Sequence, residues 1–425
     1  MNDETNSRDV FVYADWDKLN GSVIMGRLHA ELLRGKEVFS FEYDQDWLKS
    51  GYAQLLDPDL QLYSGMQFLN NESKGNFGLF LDSSPDRWGR ILMRRKEAAM
   101  ARLEERPEKS LFELDYLLGV YDGHRMGGLR YKFEIGGPFL NDNKHFASPP
   151  WTSIRELEEI SLRLEDQEVI DDPDYLKWLN MLVAPGSSLG GARPKASVLD
   201  QSQQLWIAKF PSKNDQSDIG GWEMVTRELA IGSGIHMAEA QARRFTGKQH
   251  TYLTKRFDRT TTGKRIHFAS AMTLLGHNDG QDHVDEVSYL ELVDFITSQG
   301  GRVEMDLEQL WRRIVFSICV SNVDDHLRNH GFLLSNAGWV LSPAYDINPV
   351  ETGTGLKLNI SESDNALDLD LAMEVHEYFR LTRDRAVHII KEIRQSVQAW
   401  RKIATKMGVS KSEQELKSKA FHQAR

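Results

Sequence analysis

Between residues 9 and 80 apolar and polar positions alternate in short runs broken by turn residues, and "DVFVYAD", "GSVIMGRLH", "EVFSFEYD" and "NFGLFLD" read as strands. The period then changes. In "SSPDRWGRILMRRKEAAMARLEE" apolar residues recur at helical spacing, and Ser84 before Pro85 predicts an N-cap and a first helical position. Another strand-like piece, "GLRYKFEI", runs into "GGPFLNDNKHFASPP", whose Gly, Asn and Pro content marks a linker and a first boundary near 135 to 150. Helices are expected over 152–167 and about 173–183. "APGSSLGGARPKASVLDQSQQLWIAKFPS" then reads as a Gly-rich loop, a strand from Lys195 to Leu199, a turn, and a strand from Leu205 to Phe210. A helix over about 221–232 follows. Beyond "YLTKRFDR" the pattern is mostly helical, with one hairpin at 331–347.

One stretch breaks this pattern. "VSNVDDHLRNHGFLL", residues 320–334, sets two acids, two histidines, an arginine and two asparagines between apolar flanks. The helix before it, "LEQLWRRIVFSICV", carries apolar residues at 307, 310, 311, 314, 315, 318 and 319, a stripe that faces a core. After it, "GFLLS" and "WVLSPAYDI" form two strands joined through Asn336, Ala337 and Gly338. The polar cluster therefore sits on a loop between a buried helix and a hairpin, and Asp346 closes that hairpin. Burying such groups unpaired costs on the order of 1–3 kcal/mol each, so they need a reason to be there.

Composition narrows the classes. The chain has 425 residues, 40% hydrophobic and 27% charged, as in ordinary globular proteins with room for two or three lobes. The 52 basic and 63 acidic side chains leave a net charge of −11, which argues against a chain that wraps nucleic acid by itself and suits a basic partner. Cys319 is the single cysteine, which excludes an intrachain disulfide and any metal site built on Cys pairs, and its apolar surroundings read as packing. The 13 histidines show no H-E-x-x-H spacing. No apolar leader follows the N-terminus, and no run of about 18 apolar residues exists, so the expected setting is cytoplasmic, without a membrane span. The last 25 residues carry seven basic and two acidic groups, the composition of a solvated helix and tail.

The polar loop has the order of parts that phosphoryl transfer requires in protein kinases: an Asp for the substrate hydroxyl proton, an Asn five residues later on Mg²⁺, and a second metal-binding Asp beyond. Asp324 and Asn329 are five apart, and Asp346 stands in the second position. Hard oxygen ligands suit Mg²⁺, which takes few protein carboxylates and keeps several waters. A lone D-x-x-x-x-N is commonly a turn; helix, hairpin and second Asp in sequence raise its meaning. Asp325 is the weaker candidate because it lies four from Asn329, and His326 fits either a loop-fixing or a catalytic part.

Upstream, Gly186, Gly190 and Gly191 in "GSSLGGARPK" lack a Cβ and let backbone N–H groups approach phosphates. This is neither a Walker A loop nor G-x-G-x-x-G. Lys209 is a single charge on the apolar strand "LWIAKF", one hairpin after the Gly-rich loop, where the phosphate-binding lysine belongs. Glu223 or Glu228 on the next helix would hold it, with Glu223 preferred.

At "SSLGGARPKASV", "LWIAKF", "KRFDR", "SNVDDHLRNHGFLL" and "LSPAYDINP" the chain resembles the HipA-type serine/threonine kinases, toxins of bacterial toxin–antitoxin pairs. "SSPDRWGR", after Asp82, matches that family's extra N-terminal subdomain. The resemblance implies an α/β (α+β) chain with a protein-kinase-like two-lobe fold. An N-terminal subdomain of strands and helices would cover residues 1–140, an N-lobe 150–256, and a mainly helical C-lobe 257–425. It implies ATP and Mg²⁺ as cofactors. The nucleotide would be lined by Ser188, Gly190, Gly191, Ala192, Arg193, Lys195, Lys209, Lys255, Arg256, Phe257, Tyr345 and Asp346. The catalytic set would be Asp324, Lys209 and His326, with Asn329 and Asp346 on the metal. Lys255 departs from relatives that carry an acid at the hinge, a minor matter where backbone groups read adenine.

Ser188 falls at the serine that such kinases phosphorylate in their own loop, with Ser187 as its neighbour and rival; a phosphate there would repel bound nucleotide phosphates. The implied partners are a HipB-like helix-turn-helix antitoxin, operator DNA through that antitoxin only, and a protein substrate of the aminoacyl-tRNA synthetase class. Rival readings are a kinase-like phosphotransferase for a small molecule and a non-catalytic antitoxin-binding corepressor.

Overall fold

A computed structural model describes residues 7–69, 71, 73–142, 149–183 and 193–424. Serines 187 and 188, Gly190, Gly191 and Ala192 lie outside the described residues. The chain forms two compact units, Met1–Ile207 with Asp258–Asn278, and Ala208–Phe257 with Asp279–Arg425.

The first unit is built on an antiparallel sheet of five strands: β1 (Ser7–Ala14), β2 (Val23–Leu33), β3 (Lys36–Tyr43), β4 (Met66–Phe68) and β5 (Leu129–Lys132), in the order β4-β3-β2-β1-β5. Alternation sets its register. Val10, Leu28 and Phe41 face one another across β1, β2 and β3, and all three are fully buried, so a slip of one residue would turn this row to solvent.

Two details depart from the sequence expectations. "NFGLFLD" is not a strand but a single helical turn, Gly78–Leu81, in which the buried Asp57 carboxylate accepts the Leu79 N–H at 2.8 Å. A short apolar run is compatible with either element, and here a polar anchor distant in sequence decides. The following helix starts later than Ser84 and Pro85 suggest: it spans Arg87–Leu103, and its N-cap is Asp86, which accepts the Gly89 N–H at 2.8 Å. The Ser84 hydroxyl donates instead to the Phe80 carbonyl. Helices Ile154–Leu164 and Tyr175–Val183 and strand β6 (Lys195–Leu199) follow. Strand β7 (Leu205–Lys209) carries the chain into the second unit.

The second unit is mostly helical. Asp218 caps the helix Ile219–Gly232 by accepting the Gly221 N–H, and β8 (Ala240–Arg243) pairs antiparallel with β9 (Thr251–Lys255). The helix Val303–Val320 is its core: Leu307, Leu310, Trp311, Ile314, Val315, Ile318 and Cys319 are all fully buried, as the stripe predicts. Burial pushes the Cys319 thiol up to about 12, which keeps it protonated and inert. The helix ends on Ser321 in a left-handed conformation, φ +51°, and this turn launches the polar loop. Strands Gly331–Ser335 and Gly338–Leu341 form the expected hairpin, with Ser335 opposite Gly338. Gly338, the residue after the turn, has φ +122°, and a Cβ there would come within 2.6 Å of the Gln299 carbonyl oxygen.

His267, in the first unit, gives a test of this packing. Its ring stacks on Trp16 with centroids 4.9 Å apart, and its Nδ1 accepts the Gly128 N–H at 3.3 Å. Burial depresses its pKa to about 3. Since the unfolded chain takes up this proton near the ordinary value of 6.5, stability should be intact above that pH and fall as pH drops from about 6.5 toward 3, by at most about 1.4 kcal/mol per pH unit from this group. His267→Gln keeps an acceptor for Gly128 but no titration. Urea unfolding of parent and variant at pH 7 and pH 4.5 should show a smaller acid loss in the variant; equal losses would contradict the assignment.

Candidate active site

The centre of the second unit is an ammonium group held between two carboxylates. Lys209 projects from the end of β7; its Nζ lies 2.6 Å from Glu223 Oε1 and 2.8 Å from Asp346 Oδ1. The lysine and Glu223 are buried, while the Asp346 side chain keeps a quarter of its surface exposed. Burial alone would drive the lysine toward neutrality, but Asp346 and Glu223 together outweigh it and hold its pKa above the ordinary range. The ammonium also sits 5.8 Å from the Tyr252 ring centroid. The partner is thus Glu223 and not Glu228, which instead pairs with Arg227 at 2.8 Å. Glu223 lies in the first turns of its helix, so the cap at Asp218 and the buried Trp222 beside it fix where its carboxylate points.

The polar loop separates its two adjacent acids. Asp325 is buried; it accepts the Tyr289 hydroxyl at 2.6 Å and lies 3.2 Å from His330 Nε2. Its desolvation is outweighed by His330 and by these contacts, which keep it lowered and ionised. Asp324, next to it, is exposed. Asn329 is buried: its Nδ2 donates to the Asp324 carbonyl at 2.9 Å, and its Oδ1 has no hydrogen-bond partner among the described residues. A buried amide oxygen without a donor is costly unless something else takes it. The His326 N–H donates to the Asp324 carbonyl at 3.0 Å, and its Nδ1 is likewise buried without a partner among the described residues. Asp325 is therefore a foundation of the loop, and Asp324 is the acid presented outward.

Other predicted residues divide between the units. The Tyr345 hydroxyl donates to the Arg328 carbonyl at 2.6 Å, tying the residue before Asp346 to the polar loop. Phe257 lies against Tyr345, ring centroids 5.5 Å apart, so these two form one aromatic surface. Lys255 ends β9 with its ammonium 3.5 Å from Glu239, and Arg256 is buried. Lys195 belongs to the first unit, is fully buried, and its Nζ lies 2.5 Å from Asp86 Oδ2. Arg193, also in the first unit, is half-buried.

Sequence reasoning missed the supports. Arg313 lies in the core helix; burial lowers its pKa to about 10, against the pull of Asp325, and its guanidinium donates to the Ser342 carbonyl. Tyr289 and His330, whose rings meet edge to face at 5.6 Å, wall in Asp325. Only the second histidine of the loop was a visible signal. The first unit also holds a cavity of about 520 Å³ lined by Arg95, Ala98, Arg102, Arg106, Asp166 and Tyr175, among others; it contains none of the predicted residues.

The lysine bridge makes a stability prediction. Lys209→Met removes the cation from beside the buried Glu223 carboxylate, and should cost the second unit about 3–5 kcal/mol. Adding Glu223→Gln removes that carboxylate's charge and should recover more than half of that loss. Urea midpoints of the single and double variants read this directly; an uncorrected double variant would show that packing rather than charge sets the cost.

Comparisons with known proteins bear on the family and the fold. Residues 187–400 match the model of the HipA-like C-terminal domain. A protein of Haemophilus influenzae described as a putative kinase is 24% identical over 226 residues, 49% of this chain and 60% of that protein, so the match spans well under two thirds of that relative's length. The HipA of Shewanella oneidensis MR-1, solved with HipB and operator DNA, superposes with a TM-score of 0.67 at 18% identity, covering 98% of this chain and 95% of that one. The Helicobacter pylori proinflammatory kinase CtkA matches at a TM-score of 0.37 and 16% identity over 55% of this chain and 91% of its own, a likeness too slight to argue from. The Shewanella match shows the fold. The chain belongs to the HipA family.

Proposed function

We propose that this protein is an Mg²⁺- and ATP-dependent serine/threonine protein kinase, the toxin of a HipA/HipB-like pair, which phosphorylates a translation component of the aminoacyl-tRNA synthetase class to arrest growth. The observation that carries the reading is the pairing of Lys209 with both Glu223 and Asp346 in the unit that also holds Asp324 and Asn329. A lysine–glutamate pair beside a metal-binding aspartate is the constellation that phosphoryl transfer uses to place a nucleotide.

The residues fit a hard divalent cation. Asn329 offers a buried oxygen without a hydrogen-bond donor among the described residues, and Asp346 offers a carboxylate on the neighbouring segment. An amide oxygen and one carboxylate are hard oxygen donors of the kind Mg²⁺ takes, with waters completing its shell. In this reading Asn329 and Asp346 hold the cation, which supplies positive charge against the phosphates. Lys209 places its ammonium at the phosphates, pre-charged by its two acids. Asp324, exposed at the rim of the loop, accepts the proton of the substrate hydroxyl. His326 orders that loop through its N–H on the Asp324 carbonyl. Phe257 and Tyr345 give the adenine an apolar surface, and Lys255 and Arg256 supply hinge backbone.

Residues 150–256 and 257–425 serve as the two lobes, with residues 1–140 as the added subdomain. Ser188, or Ser187 beside it, is the self-phosphorylated residue, whose charge would exclude bound nucleotide. The Shewanella HipA assembles with HipB and operator DNA. A basic helix-turn-helix partner would complement the net charge of −11 here.

Incubation of the full chain with ATP and Mg²⁺, followed by mass spectrometry, should place phosphate on Ser188 or Ser187. Asp324→Asn should lower ATP turnover by about a hundredfold or more and abolish growth arrest on induction, and Asp346→Ala should do the same. Unchanged turnover and arrest in Asp324→Asn would end the catalytic reading.

A further inference from the structure

Asp346 adopts a left-handed backbone, φ +57°, which a residue with a Cβ rarely takes unless its surroundings require it. The surroundings do so on both sides. Before it, the Tyr345 hydroxyl donates to the Arg328 carbonyl. After it, the Thr226 hydroxyl donates to the Ile347 carbonyl at 2.6 Å, and the Asn348 N–H donates to Asn322 Oδ1 at 3.1 Å. The Val350 N–H then donates to the Ser321 carbonyl at 3.1 Å. Asn322 is itself pinned: its N–H donates to the Ser317 carbonyl, and its Nδ2 lies 3.3 Å from Ser317 Oγ.

Thr226 is the less expected partner. It lies three residues beyond Glu223 on the same helix and is fully buried. A helical threonine usually returns its hydroxyl to a carbonyl one turn back. The Trp222 and Glu223 carbonyls are in reach at 3.1 and 3.0 Å, but the Ile347 carbonyl is nearer, and one hydroxyl has one hydrogen to give. The helix that delivers Glu223 to Lys209 therefore also grips the residue that follows Asp346. We infer that Thr226 and Asn322 are positioning residues that hold Asp346 in its left-handed conformation and so fix its carboxylate against Lys209. Both are buried, Thr226 at 0% and Asn322 at 2% exposure. The inference rests on the functional reading above in taking Asp346 as a metal ligand.

The test uses the full chain with two substitutions at one position. Thr226→Val keeps the shape and removes the hydroxyl; Thr226→Ser keeps the hydroxyl. Mn²⁺ binding in the presence of ADP, followed by electron paramagnetic resonance, should weaken about tenfold in Thr226→Val and stay within about twofold in Thr226→Ser. The Mg²⁺ concentration for half-maximal ATP turnover should rise in parallel. Asn322→Leu should behave as Thr226→Val, and Asn322→Asp, which retains an acceptor for Asn348, should be milder. Parental affinity in Thr226→Val, or an equal loss in Thr226→Ser, would overturn the inference. Hydrogen exchange of the Asn348 and Val350 amides separates it from the functional reading. If the parent chain bound no Mn²⁺ with ADP, that reading would fail, while exchange faster by about tenfold in Thr226→Val would still uphold the clasp and unchanged exchange would sink it.

Discussion

A single buried ammonium organises the second unit. An unpaired charge taken out of water costs several kcal/mol, and a pair recovers this only with good geometry and filled hydrogen bonds. Lys209 meets both conditions, with carboxylates at 2.6 and 2.8 Å from its Nζ. The consequence is positional. The end of β7, the first turns of the helix Ile219–Gly232 and the segment after the hairpin must converge on one nitrogen, and a displacement of any of them strands a charge. Such a bridge adds little to stability compared with a well-packed apolar trio, but it specifies one arrangement. Of the three side chains Asp346 is the most exposed, at 25% against 8% for Lys209 and 5% for Glu223.

The same logic explains why two neighbouring acids have opposite fates. Asp324 lies in a turn and is exposed, while Asp325 beside it is buried. The core side is made safe for Asp325 by the Tyr289 hydroxyl, by His330 and by the nearby charge of Arg313. Each of these is itself buried. The cost of this polar foundation falls on the helix Val303–Val320, which must carry Arg313 through an otherwise apolar core. What it secures is a loop whose exposed acid cannot wander, because the carbonyl of Asp324 is held by both the His326 N–H and Asn329 Nδ2.

Much of this was legible in the sequence because it is written as order and spacing. The apolar stripe from Leu307 to Cys319, the five-residue interval from Asp324 to Asn329, the Asn336–Ala337 turn and the lone charge in "LWIAKF" are all local signals. What was not legible depends on partners far away in the chain. Lys195 follows a Gly-rich loop, and the buried acid beside its ammonium, Asp86, lies more than a hundred residues earlier. The "NFGLFLD" run is helical because Asp57 reaches Leu79. Thr226 gave no sign at all, since a threonine one turn along a helix satisfies its hydroxyl locally in most settings. The left-handed backbone at Asp346 is invisible for the same reason: Asp tolerates that region without requiring it.

Asp86 shows how far one side chain can account for a motif that spacing alone leaves opaque. In "SSPDRWGR" its Oδ1 caps the helix Arg87–Leu103 while its Oδ2 takes the buried Lys195. Asn in its place would still cap, because an amide oxygen accepts the Gly89 N–H, but it would take away the carboxylate charge beside a fully buried ammonium. Gly89 is fixed by the same geometry, since a Cβ there would come within 2.8 Å of Pro85. The acid, the proline and the glycine are thus one device: a tight helix start that carries a counter-charge for the first residue of β6. In both units, then, a lysine at one end of a strand is held by an acid anchored at the start of a helix, Lys195 by Asp86 and Lys209 by Glu223. They differ in one respect: the Asp86 side chain is as buried as Lys195, whereas Lys209 also pairs with Asp346, whose side chain is a quarter exposed.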